Sequence, residues 1–221
     1  METNPADRSE SGRKSVAGES TLDRLADKDV IESIAGIMPG DHISVFYEYS
    51  PLEYMPAVIA YLRDGLALGE QCIYIADETP VPLFEQWMQA ENIDLAAEKE
   101  RGALLVWTRE EWREPGPLDS IRKAAQVRAI LEAAFASGFC GVRFALEMTW
   151  TLGPDIPAES IEAWEANSTA MMSTGAPLTA MCLYGRRRLS PESLDAGLRT
   201  HPFILDDQGM RANEGYTGPS A

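Results

Sequence analysis

The chain is poor in cysteine, in basic charge and in long apolar runs, and each shortage removes a class of function. Its three cysteines, Cys72, Cys140 and Cys182, are odd in number and far apart, with no C-x-x-C pair and no histidine spacing that suggests zinc. They read as thiols of a reducing compartment, the cytoplasm. No apolar run approaches the ~18 residues of a membrane span, and no h-region follows the N-terminal charges, so neither export nor a span is expected. Nineteen Lys and Arg stand against 35 Asp and Glu, a formal net charge of −16. A field of that sign repels a phosphate backbone and an anionic lipid surface, which argues against nucleic acid and membrane as partners. The most informative absence is local. There is no glycine between Asp41 and Asp64 and no lysine between Lys28 and Lys99, whereas a phosphate loop needs bare glycine amides and a lysine for the β/γ-phosphates.

What is present is an ordinary globular composition, 45% hydrophobic and 24% charged over 221 residues, enough for one sizeable core. Short β-branched and aromatic runs at Ile43–Tyr49, Cys72–Ala76, Leu104–Thr108, Val142–Glu147, Leu178–Tyr184 and, more weakly, Phe203–Leu205 alternate with amphipathic runs. The latter fall at Glu53–Leu68, Leu83–Glu91, Ile121–Ser137, Ser160–Met172 and Pro191–Leu198. That alternation predicts a single α/β domain over residues 40–207, a three-layer sandwich with a mainly parallel central sheet. Residues 1–20 carry no apolar periodicity and read as a disordered tail, 21–38 as a lead-in helix, and 208–221 as a flexible C-terminal tail.

In an open parallel sheet, ligands bind beyond the carboxyl ends of the strands. There the sequence places Tyr47, Glu48 and Tyr49, then Asp77 and Glu78, then Arg109 and Glu110, then Glu147, Met148 and Trp150, and finally Tyr184 with Arg186, Arg187 and Arg188. The first strand-to-helix junction, Ser50-Pro51-Leu52-Glu53, fits a capping box that satisfies the helix amides internally and sets a carboxylate where a phosphate would sit.

Several co-linear blocks resemble one family. They are Gly40-Asp41-His42 into Val45-Phe46-Tyr47-Glu48, Gly65-Leu66 with Gly69-Glu70-Gln71-Cys72-Ile73-Tyr74-Ile75, and Arg143 through Glu147-Met148-Thr149-Trp150. The last runs from Met181 through Arg186-Arg187-Arg188-Leu189-Ser190-Pro191 to Thr200-His201-Pro202. Over about Gly40 to Leu205 the chain is similar to the MEDS domain, the sensory domain of dichloromethane-responsive regulators and of methanogen and methylotroph signalling proteins. The resemblance implies a RecA-like, P-loop-ATPase-like fold without a functional phosphate loop. It also implies sensing of a simple hydrocarbon derivative or similar small ligand. Output is expected through a separate signalling protein of kinase, anti-sigma or transcription-regulator type, or through self-association. Where the family carries Tyr-Asp before the arginines, this chain has Tyr184-Gly185.

The expectation for function is therefore a prokaryotic sensory module that binds rather than catalyses, with no catalytic residue, cofactor or metal assigned. Tyr47, Glu48, Glu147, Trp150, Cys182, Tyr184 and Arg186 are expected to converge as a ligand pocket, with His42 and Asp77 as possible additions. Because successive strand residues point to opposite faces, one or two of them are allowed to turn into the helical layers. Each candidate has a plainer reading. His42 at a strand start reads first as a hydrogen-bonded core histidine, His201 before Pro202 as a turn residue, and Cys182 as a small buried side chain. A reactive Cys182 would need the three arginines beside it. Two other classes stay open: a metal- or nucleotide-dependent hydrolase using Glu147 with Asp77 or Glu78, and a ligand-free interaction scaffold.

Overall fold

The computed structural model describes residues 28–49, 53–206 and 208–218. The expected N-terminal tail and residues 50–52 lie outside them, and the helix after β1 starts at Met55 with Tyr54 at its N-cap, so the expected box with Ser50 at N-cap and Glu53 at N3 is corrected. In chain order the elements are α1 (Lys28–Ile34), β1 (His42–Tyr47), α2 (Met55–Leu68), β2 (Gln71–Ala76), α3 (Val81–Ala90) and α4 (Leu95–Glu100). Next come β3 (Leu104–Thr108), α5 (Arg109–Trp112), α6 (Ser120–Ala136), β4 (Val142–Glu147) and a 3-10 turn, Met148–Thr151. The chain closes with α7 (Ala158–Met172), β5 (Leu178–Gly185), α8 (Pro191–Thr200), β6 (Phe203–Asp206) and β7 (Gly209–Ala212).

The strands form one sheet in the order β3-β2-β4-β5-β1-β6-β7, parallel throughout except for the final β6–β7 pair. The central strands β2, β4 and β5 are buried almost without interruption, as apolar runs covered by helices on both faces must be. One face carries α2 and α3: the Phe84 ring of α3 stacks on Tyr74 of β2 at 4.2 Å. The Arg143 guanidinium of β4 donates to the Tyr61 carbonyl of α2 at 2.9 Å and to the Glu70 carboxylate at 2.6 Å. The other face carries α6, α7 and α8. Helix α2 stops at Gly69, whose φ of 83° only glycine adopts without strain and whose amide caps the last turn.

Both ends of the described chain are tied to the sheet. The lead-in helix is part of the core, with Ile34 and Ile37 buried and the Ser33 hydroxyl accepting from the Met210 amide. The segment expected as a flexible C-terminal tail is held to residue 218. It pairs as β7 with β6, the Asn213 side chain donates to the carbonyls of Leu198 and His201, and the Thr217 amide donates to Arg199. Four-residue strands carry too little periodicity to separate them from loop.

Candidate functional site

The expected pocket residues divide among separate environments, because side chains alternate across a strand with period two. Tyr47 and Glu147 face α2. Cys182 and Tyr184 face α7. Glu147 pairs in register with Leu183, so Glu147 and Tyr184 are backbone neighbours whose side chains go to opposite layers. The single convergent crevice is thus corrected to two buried clusters, an exposed rim and a separate buried aromatic site that holds Trp150.

On the α2 face, the Glu147 carboxylate is wholly buried. Oε1 accepts from the hydroxyls of Tyr54, at 2.9 Å, and Tyr74. Oε2 accepts from three successive amides, Asp77 at 2.9 Å, Glu78, and Thr79 at 3.1 Å. A turn of consecutive N–H groups is a nest for an anion, and here the chain supplies the anion itself. Burial first, then the nearby acids, pushes the Tyr74 and Tyr54 phenols up, so both stay protonated donors. Glu53 does the same after β1, accepting from the amides of Glu48 and Tyr49 at 2.7 Å each. Among the described residues, the amides of Glu48 and Tyr49 beyond β1 and of Asp77, Glu78 and Thr79 beyond β2 are therefore engaged by glutamates.

At the rim, each arginine has a partner: Arg186 lies 3.4 Å from Glu48 and over the Phe46 ring, Arg187 donates to the Tyr49 hydroxyl at 2.7 Å, and Arg188 lies 2.9 Å from Glu78. Tyr47 donates to Glu78. Tyr47, Arg187 and Arg188, with Glu48, Tyr49 and Glu78, border a void of about 290 Å³. A Cβ at position 185 would come within 2.8 Å of the Tyr47 hydroxyl, so the glycine there and the inward Tyr47 are one packing choice. Asp77 faces Arg109 at 3.6 Å. Trp150 belongs elsewhere again, edge-on to Trp112 at 6.3 Å, with Lys123 seated over the Trp112 ring at 3.4 Å. Burial pushes the Lys123 amine down to about 7.

On the α7 face, His42, Cys182 and Tyr184 meet Glu165 of α7 and His201, the residue that ends α8. All five are at most 2% exposed. Tyr184 donates to Glu165 Oε1 at 2.8 Å, and His42 Nε2 lies 3.4 Å from both Cys182 Sγ and Glu165 Oε2. The donor atoms of His42, Glu165, Cys182 and His201 all fall within 4.8 Å of one another, close enough to share an ion. Burial pushes both histidines down to about 3 and the Glu165 carboxyl up. The Cys182 thiol is also pushed up by burial, then by Glu165. Its neighbours are thus His42 and Glu165, and the rim arginines lie at the surface, opposite to what a reactive thiol required. His201 is a buried member of the cluster rather than a turn residue. Glu165 carries no sequence signal, since a glutamate within a polar helix reads as solvated until α8 is laid over it.

Beside this cluster is an apolar chamber of about 20 Å³, walled by Trp112, Phe144, Leu146, Trp164, Met171 and Ala180. No helix among the described residues is long and apolar enough to cross a membrane.

Compared with known families, residues 41–202 match the MEDS profile, the MEthanogen/methylotroph, DcmR Sensory domain. No curated protein matches the chain. Among solved structures, the flagellar accessory protein FlaH from Methanocaldococcus jannaschii is similar in fold, with a TM-score of 0.58 at 15% identity over 80% of this chain and 75% of that one. The architecture is the RecA-like ATPase fold.

Proposed function

Because the chain belongs to the MEDS family of sensory domains, we propose that it binds a small uncharged organic molecule, a simple hydrocarbon derivative, in the chamber between the sheet and α7. The observation that carries this reading is an apolar void with a polar end. Tryptophan, phenylalanine, leucine and methionine form the walls, and His42, Glu165 and Cys182 close one side. Small-molecule sites combine those two features. A volume of about 20 Å³ holds roughly one water-sized group, so an organic ligand enters only by displacing α7. A charged ligand is disfavoured by the cost of stripping its water.

Displacement of α7 is the signal in this reading, because α8 packs against α7 and the two share the Thr169–Thr200 hydrogen bond. The receiver is a separate signalling protein or a second copy of the chain, in the cytoplasm. Binding is favoured over hydrolysis because both oxygens of Glu147 already accept from the fold.

Tryptophan fluorescence tests it, since Trp112 and Trp164 line the chamber. Titration with dichloromethane, methanol and similar one-carbon compounds is expected to give saturable quenching with one of them. Ala180→Val, which fills the void, is expected to abolish the response, while Cys140→Ser at an exposed position leaves it unchanged. Saturation that survives Ala180→Val, or no saturation with any of the panel, refutes the reading.

A further inference from the structure

We infer that His42, Glu165, Cys182 and His201 form a four-donor site for a divalent metal ion of the zinc class, tying β1, β5, α7 and the end of α8 together. The inference goes beyond the small-ligand reading and does not depend on it.

Hydrogen bonding fixes which atoms carry protons. The Thr169 hydroxyl donates to the Thr200 carbonyl at 2.7 Å, so its oxygen accepts from His42 Nδ1 at 2.8 Å. The Gly197 carbonyl accepts from His201 Nδ1 at 2.8 Å. Each imidazole is therefore protonated on Nδ1 and turns a bare Nε2 lone pair inward. Glu165 Oε1 accepts from Tyr184, whereas Glu165 Oε2 and His201 Nε2 have no hydrogen-bond partner although they are fully buried. Three acceptors thus converge around a single thiol proton. Buried polar groups are nearly always satisfied, and one cation satisfies all of these together.

Three of the six spacings approach that cation's, and all six fall within 4.8 Å, so an ion draws the remaining pairs inward by up to about 1 Å. Tetrahedral zinc with nitrogen, oxygen and sulfur ligands sets neighbouring donors roughly 3.3–3.6 Å apart. His42 Nε2 is 3.4 Å from Cys182 Sγ and 3.4 Å from Glu165 Oε2, and His201 Nε2 is 3.8 Å from Glu165 Oε2. Two imidazoles, a carboxylate and a thiolate suit zinc and its first-row neighbours, whereas calcium and magnesium take oxygen ligands. The outer hydrogen bonds from Thr169, Gly197 and Tyr184 are those that orient metal ligands. On binding, the Cys182 S–H bond breaks as the sulfur–metal bond forms, and the proton leaves to solvent with no change of oxidation state. Four donors on four elements, at positions 42, 165, 182 and 201, leave no local spacing for the sequence to show.

The test is metal analysis of the full chain purified without chelator, followed by cobalt(II) titration of the stripped protein, with circular dichroism to establish folding. The expected result is about one zinc per chain, and on cobalt addition the strong visible bands of a four-coordinate ion with a thiolate-to-cobalt transition. Cys182→Ser is expected to remove the thiolate transition. Tyr184→Phe, which keeps the ring, is expected to weaken cobalt binding about 10- to 100-fold, and Cys140→Ser to change nothing. Folded wild-type protein that takes up no stoichiometric metal overturns the inference, because a proton on Glu165 then satisfies the cluster. A cobalt spectrum indifferent to both Cys182→Ser and Tyr184→Phe overturns it too. No organic ligand enters the experiment, so its failure is separable from failure of the sensing reading.

Discussion

Replacing Glu147 with alanine distinguishes an anchor from a catalytic carboxylate by the sign of the stability change. The substitution strips the acceptor from two tyrosine hydroxyls and three amides. Asp77 and Glu78 are partly exposed and their amides can recover water. Tyr54, Tyr74 and Thr79 are buried and theirs cannot. Three stranded donors at roughly 1–3 kcal/mol each, reduced by relaxation of the turn, give a loss of about 4 kcal/mol. For a chain of this size that lowers Tm by roughly 8–16 °C, read by scanning calorimetry. Glu147→Gln is expected to fall between alanine and wild type, because its amide oxygen still serves part of the donor set. Catalytic acids behave in the opposite way, since removing a strained functional charge commonly leaves stability unchanged or raised. A Tm for Glu147→Ala within about 2 °C of wild type refutes the anchoring argument.

Arg143→Met leaves the Glu70 carboxylate buried without its 2.6 Å partner and is expected to cost about 3–5 kcal/mol by denaturant titration, with Glu70→Gln in the same chain restoring most of it. Lys123→Met is expected to stabilise, and more so at low pH. With the folded amine pushed down to about 7 from an ordinary 10.5, the unfolded chain holds more protons between those values. Wild-type stability therefore rises with pH across that window, and the burial cost, roughly 5 kcal/mol before the Trp112 contacts offset it, is fully present below it. Fluorimetric Tm measurements should show a gain at pH 6 that shrinks by pH 9.5, and an equal gain at both contradicts the assignment.

The strands were legible as short β-branched and aromatic runs between turn residues: Val142–Glu147, buried throughout, and Leu104–Thr108, a partly buried edge strand, carry the same bounds in the sequence and in the structure. The βα alternation was enough for the parallel sheet, since crossover connections leave little choice. Side-chain facing was harder. Tyr184 and Glu147 end adjacent strands, and only the register, one residue out of step, sends them to different layers. Glu147 was legible as a carboxylate in need of a partner, but its partners are tyrosines and a turn rather than an arginine. Glu165 and His201 were invisible as site residues because their burial is created by α8 folding back over α7, a contact no local pattern encodes.

This RecA-like fold holds its own carboxylates, Glu53 and Glu147, on amides beyond β1 and β2 where a phosphate would otherwise be received. Titration calorimetry with Mg-ATP tests it most directly. No saturable heat is expected with the wild-type chain up to the millimolar range, and saturable binding anywhere in that range contradicts the occupation of these amides by Glu53 and Glu147.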